Sequence, residues 1–374
     1  MENIFDMIER LCPDGVEYKK LEDCLDYEQP TKYIVKSTDY NNSYKTPVLT
    51  AGQSFILGYT DETDGIFKAD KENPIIIFDD FTTSFHWVDF DFKVKSSAMK
   101  MLKPKDNICF RYVFYAMKCI KFQPYSHMRH WIGSYSKFEI PFPPIEIQQK
   151  IVNMLDSFIE LTELLKRETE LRQKQYSYYR DKLLDFGDNV EWKTLGDIGK
   201  ASMCRRIMKS QTNSESGVPF YKIGTFGKKA DSYISFELFN EYKQKYSYPK
   251  KSDVLISASG TIGRTVIFDG KPAYFQDSNI VWIDNDESIV LNKYLYYFYQ
   301  TNPWKISEGG IIARLYNDDL TKIKIPVPPI EIQQKIVNML DSFTELTKLL
   351  KRETELRQKQ YEYYRDKIFD MKRR

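Results

Sequence analysis

PPIEIQQKIVNMLDSF, residues 143–158, returns unchanged at residues 328–343. When the comparison is extended to 143–182 against 328–367, only three of forty positions differ: Ile159/Thr344, Glu163/Lys348 and Ser177/Glu362. The stretch reads as helix. Pro143-Pro144 gives an extended entry and a helix start, no Gly or Pro follows until Gly187, and Glu, Gln, Lys, Arg and Leu dominate. Apolar residues recur at sevens, through Ile151, Phe158 and Leu165, and then, after a shift of track, through Leu164, Leu171 and Tyr178. The second copy repeats them as Ile336, Phe343 and Leu350, then Leu349, Leu356 and Tyr363. Such a stripe wants a partner helix, and the other copy is the obvious one.

The repeat divides the chain into a variable domain at 1–142, a spacer helix at 143–185, a second variable domain at 186–327, and a second spacer helix with a tail at 328–374. Both variable regions open alike, Val16-Glu17-Tyr18-Lys19-Lys20-Leu21 against Val190-Glu191-Trp192-Lys193-Thr194-Leu195, as one fold used twice. A helix of about 40 residues is about 60 Å long, whereas a globule of about 140 residues often has its ends close together. Antiparallel packing sets the end of the first helix beside the start of the second, a gap that such a domain bridges. The expectation is therefore two domains separated by an antiparallel coiled coil and related by a pseudo-twofold axis. Within each domain Pro74-Ile-Ile-Ile-Phe78 and Asp253-Val-Leu-Ile-Ser257 read as strands and Asn292-Lys-Tyr-Leu-Tyr-Tyr-Phe-Tyr299 as a short helix, giving an α/β or α+β class. The polar face of the helix, for example Lys166-Arg167-Glu168, is copied along with the apolar one. One partner docking twice would hold both faces constant; recent duplication or gene conversion leaves the same identity.

At 374 residues, 42% apolar and 29% charged, the chain has the composition of a globular protein of two or three domains. Its five cysteines show no CxxC and no regular spacing, so the reading is buried thiols in a reducing compartment rather than a metal cage. With no basic-then-apolar leader and no apolar run near 20 residues, a cytoplasmic location is expected, without membrane contact.

The net charge of +2 hides local asymmetry. Residues 61–91 hold nine acids against Lys68 and Lys71, whereas 93–137 hold ten bases against Asp106, among them Lys93, Lys95, Lys100, Lys103, Lys105, Arg111 and Arg129. This predicts one electropositive face on the first domain. The second domain has clusters at Arg205-Arg206-Lys209 and Lys228-Lys229. Cations interleaved with Tyr, Phe and Ser suit a phosphate backbone, because each cation neutralises a phosphate and the polar groups fix register. Ser257-Ala-Ser-Gly-Thr-Ile-Gly-Arg264 sets Thr261 and Arg264 in a turn between strands, and an arginine there forks onto guanine. Gln276-Asp-Ser-Asn279 supplies amides of the kind that pair with adenine, and the loop holding His127, Arg129 and His130 is a further polar candidate. In the first domain the counterpart of the 257–264 turn falls at Phe78–Ser84, followed by Lys93-Val-Lys95. There is no Walker A loop, nucleophile elbow, GxGxxG after a strand or amino-methyltransferase signature, so no catalytic residue and no metal ligand is assigned.

The order variable domain, Pro-Pro-x-x-x-Gln-Gln-Lys-Ile helix, variable domain, near-identical helix resembles the specificity subunit of type I restriction–modification systems, from about Val16 to Asp366. Pro143–Ile151 and Pro328–Ile336 stand where that family begins its spacer helices, and Thr50-Ala51-Gly52-Gln53 resembles a stretch of its first recognition domains. The resemblance implies a non-catalytic reader of a two-part asymmetric site in double-stranded DNA, each variable domain recognising one half. It also implies that the helices fix the gap and dock two methyltransferase subunits, to which motor-nuclease subunits add. S-adenosylmethionine, and ATP with Mg, would then belong to those partners and no cofactor to this chain. The rival reading is a structural adaptor whose twin helices scaffold identical protein partners.

Overall fold

In the computed structural model, which describes residues 3–50, 52, 54–124, 128–304 and 314–374, the copied stretch forms two helices, Ile145–Leu183 and Ile330–Phe369. Their shared opening is explained by one side chain. The amide of Gln148 is buried and donates to the Pro143 carbonyl at 2.8 Å; Gln333 does the same to Pro328 at 2.8 Å. Gln333 also donates to Ile289 and accepts from the Leu291 backbone. A Pro-Pro entry leaves carbonyls that no helical N–H reaches, and the glutamine satisfies one of them under the core.

The chain separates into two units, residues 1–165 with 353–374, and residues 166–352, so the division runs through both helices. In the first unit, Ile147, Ile151 and Leu155 from the start of one helix share a core with Tyr361, Ile368 and Phe369 from the end of the other, and Phe158 stacks on Tyr364 with ring centres 5.9 Å apart. The second unit makes the same pair in the other copy, Phe343 on Tyr179 at 5.5 Å, with Ile336, Val337 and Leu340 packed in one core with Leu184. Start lies beside end in both, so the helices pack antiparallel, as their lengths required.

The seam differs from the expected one. Its buried and half-buried positions follow one uninterrupted alternation of threes and fours through Gln148, Ile151, Leu155, Phe158, Thr162, Leu165, Thr169, Arg172 and Tyr176. The apolar track does not shift: Leu171 is 51% and Tyr178 60% exposed, and Leu356 and Tyr363 are exposed likewise. A change of track requires a three- or four-residue discontinuity, and the copied sequence has none; phase set by the packed ends is carried through polar residues instead. The polar seam groups are satisfied locally. Thr162 donates to the Phe158 carbonyl, and Arg172 is held by Glu168 and Gln175, as Arg357 is by Glu353 and Gln360.

Each unit builds the same three sheets. In the first, Glu17–Lys20 pairs with Glu139–Phe142; a four-stranded sheet runs in the order Leu25–Glu28, Met99–Pro104, Ile75–Asp79, Phe85–Val88; and a three-stranded one runs Ile56–Thr60, Thr46–Leu49, Lys93–Val94. In the second, the corresponding sets are Glu191–Thr194 with Lys324–Val327; Lys200–Ser202, Ile280–Asp284, Val254–Ser257, Thr265–Ile267; and Tyr233–Ile234, Val218–Tyr221, Tyr274–Phe275. Even the single parallel pairing of each three-stranded sheet is repeated. The expected strands at 74–78 and 253–257 and the helix at Asn292–Tyr299 are present.

Matching anchors join each domain to its helices. Tyr112 and Tyr294 donate to the carbonyls of Pro141 and Pro326; Arg111 and Tyr115 bond Asp156, as Lys293 and Tyr297 bond Asp341. The tail closes onto the first unit, where Tyr18 donates to Met371, Arg373 forks onto Glu139, and Val16 bridges Arg373. Gly15, at φ +103°, is required there because a Cβ would stand 2.7 Å from the Lys372 carbonyl.

Candidate nucleic-acid interface

The basic run 93–137 does not make one charged face. Lys93 and Lys100 are each 1% exposed. Lys93 lies 3.0 Å from Glu62 and donates to the carbonyls of Asp64 and Gly65; Lys100 lies 3.5 Å from Asp80, whose other oxygen accepts from the Trp131 backbone. The physical reason is strand pairing. Ile75–Asp79 runs antiparallel to Met99–Pro104 with Phe78 opposite Lys100, so acids and bases segregated along the chain meet across the sheet. Lys103 is paired with Glu28, Lys105 with Asp26 and the Glu22 carbonyl, and Arg111 with Asp156 beneath the ring of Trp87. His130 is buried against Phe122. Lys95 and Arg129 keep exposed side chains. His127, Ala51 and Gln53 lie outside the described residues.

The second unit presents its cations. Arg205, Arg206, Lys209, Lys228 and Lys229 are all exposed. Arg264 is half-buried: its Nη1 donates to the Phe226 carbonyl at 3.0 Å and its backbone N–H to the Ser257 hydroxyl, so the backbone closes the hairpin and the guanidinium, expected to aim at a base, ties it to the loop at Phe226. Thr261 is exposed at the tip of that hairpin. Gln276 and Asn279 have their amide oxygens committed, Gln276 to the Ile223 N–H at 2.9 Å and Asn279 to the Ser259 hydroxyl at 2.8 Å. Both amides brace the turn that carries them.

That turn and the arginine pair come together. A hollow of about 640 Å³ is lined by Met203, Arg205, Arg206, Met208, Tyr246 and Asp277. Arg205 lies over the Tyr246 ring at 5.3 Å, and Arg206 Nε donates to Asp277 at 2.8 Å. Met203 also borders a second hollow with Arg314 and Tyr316, where Arg314 donates to the Ser278 carbonyl at 2.9 Å. Asp277, Tyr246, Arg314 and Tyr316 were not assigned from sequence. Each is separated by 30 or more residues from the arginine cluster, and only the sheet order brings them to one edge. In the first unit the same position after the parallel strand is Lys95-Ser96-Ser97-Ala98, so Lys95 stands where Gln276 does.

Among the described residues no group of three or more His, Cys, Asp or Glu is placed to hold a metal ion, and no helix is long and apolar enough to cross a membrane. All five thiols are free.

A family model described as the type I restriction modification DNA specificity domain matches the chain twice, over residues 13–172 and 188–357. The chain is 43% identical, over 99% of its length and all of the relative's, to a putative type I restriction enzyme specificity subunit of Haemophilus influenzae. It is 40% identical to the type I restriction enzyme EcoR124I/EcoR124II specificity subunit of Escherichia coli, covering 99% of this chain and 96% of that one. In fold it is similar to the type I restriction–modification S subunit of M. genitalium, with a TM-score of 0.61 over 95% and 96% of the two chains at 15% identity. Two copies of one reading fold on copied helices, two matches to one domain family and end-to-end relatives converge: this chain belongs to the type I restriction–modification specificity subunits.

Proposed function

We propose that this chain is a non-catalytic reader of double-stranded DNA, each unit recognising one half of a two-part asymmetric site while the helices fix the gap and carry two methyltransferase subunits. The observation that carries the reading is where the two helix copies differ. Ile159 and Glu163 line a groove in the first unit beside Trp87, Arg111 and Lys118; at the matching positions Thr344 bonds its own helix and Lys348 pairs with Glu345. Two of the three differences therefore lie at the first unit's groove in one copy, and the third, Ser177/Glu362, is exposed in both. Apart from these three positions the copied surface is constant, including the exposed stripe Leu164, Leu171, Tyr178 and its copy Leu349, Leu356, Tyr363. An exposed apolar stripe at sevens is suited to a helix of another chain, and its identity in both copies to the same chain bound twice.

In this reading S-adenosylmethionine belongs to the methyltransferase subunits, ATP and Mg to motor-nuclease subunits where these join, and the assembly works in the cytoplasm. The test has two parts. With the methyltransferase subunits present, the chain retains a duplex in a gel shift at moderate salt. Adenine methylation mapped in cells with and without the gene yields a motif of two specified halves around an unspecified gap. Helix-dependent assembly with no retained duplex and no motif would favour the adaptor.

A further inference from the structure

We propose that Arg206, aimed by Asp277, is a specificity-determining side chain of the second unit and that it reads a guanine in the major groove; this deepens the DNA-reading function above and rests on it. Arg206 is 68% exposed while its carboxylate partner is only 17% exposed, so the acid is the fixed member of the pair and the guanidinium the presented one. The bond uses Nε, at 2.8 Å. That choice of atom leaves the two Nη groups as the outward edge of the fork, which is the edge that matches O6 and N7 of guanine.

The mount is rigid. Ser278, next to Asp277, is held at φ +54°. The turn is tied through Gln276 to Ile223 and Tyr221, through Asn279 to Ser259, and through the Ser278 carbonyl to Arg314. Four braces on three residues of the turn fix the backbone that carries Asp277, and a pre-aimed fork loses little freedom on binding. The surroundings suit a base edge rather than bare phosphate. Met203 and Met208 are exposed on either side in sequence, and Tyr246 is exposed under Arg205. Soft, apolar and aromatic groups beside one oriented cation fit the mixed edge of a base pair; a phosphate site would call for further donors. Arg205, by contrast, lies across the Tyr246 ring and suits the neighbouring phosphate.

The experiment uses the full chain with its methyltransferase subunits and compares Arg206→Ala, Arg206→Lys and Asp277→Asn by methylome sequencing and by binding to duplexes carrying each base at each specified position. Arg206→Ala is expected to make one guanine of one half-site degenerate, with roughly a five- to hundredfold loss of discrimination there. The other half-site and the gap stay unchanged. Arg206→Lys keeps the charge and the salt dependence but loses the same guanine, because an ammonium has no fork. Asp277→Asn weakens discrimination at that position alone. The proposal is overturned if Arg206→Ala lowers affinity for all duplexes equally and reduces the salt slope, or if Arg206→Lys keeps full discrimination. Either result makes Arg206 a phosphate contact while the wild-type complex still reads DNA. A wild-type complex that yields no motif overturns the DNA-reading function itself.

Discussion

Lys93 and Lys103 stand ten positions apart in one basic run, and their surroundings give them opposite meanings. Lys93 and Lys100 form ion pairs inside the core, whereas the Lys103–Glu28 pair lies half in solvent. Removing one member of a buried pair strands its partner, so Lys100→Ala should cost about 3–5 kcal/mol in denaturant unfolding, and Lys103→Ala at most about 1 kcal/mol. Equal losses would mean that Lys100 is solvated. The cysteines respond in one direction. Burial raises all five thiols, Cys24 to about 11 and Cys119 and Cys204 to about 12, from an ordinary 9.0. Thiolate is scarce at pH 8, so alkylation of the native chain should be much slower than in urea. Because the unfolded thiols ionise first, stability should fall as pH climbs above about 9. At this scale the sequence identified the exposed arginines at 205 and 206, and of the thiols expected to be buried, Cys24 and Cys204 are buried while Cys12, Cys109 and Cys119 are half-buried. It misplaced Lys93, Lys100, His130 and Arg264, since side-chain direction depends on which strands become neighbours.

The copied helix was legible almost completely, down to its start at the Pro-Pro pair, because each feature is local. Gln148→Ala or Gln333→Ala should destabilise its own unit by about 1–3 kcal/mol, as a buried carbonyl loses its donor; thermal melts of the two variants measure it. The seam was harder to read. Periodicity alone made Leu171 and Tyr178 look like core, yet Thr169, Arg172 and Tyr176 occupy the seam around them. A heptad pattern cannot say which of two overlapping apolar tracks meets the neighbouring helix and which stays exposed. The exposure of the second track has a direct consequence. Leu171→Lys with Tyr178→Lys should leave melting nearly unchanged and remove one of two methyltransferase subunits from the purified assembly, and adding Leu356→Lys with Tyr363→Lys should remove the other. Loss of folding in the first pair would assign these residues to the core.

For the whole chain, the repeat announced one fold used twice, and the two sets of sheets bear that out strand for strand. The antiparallel pairing was legible from the helix lengths; what the sequence withheld was that each unit takes a part of both helices, so that the boundary between units runs through them. If the helices set the gap between half-sites, four residues inserted into both add about 6 Å of rise. The gap should then lengthen by at most about two base-pair steps while both half-sites persist; altered half-sites at an unchanged gap would count against this. The identity of the two helix openings has an evolutionary corollary. Because both helices open on sixteen identical residues, 143–158 and 328–343, genetic exchange within that stretch would import a foreign reader without altering the joint at which it enters. Such a protein can acquire new targets by shuffling whole cassettes, leaving its enzymatic partners nothing to relearn.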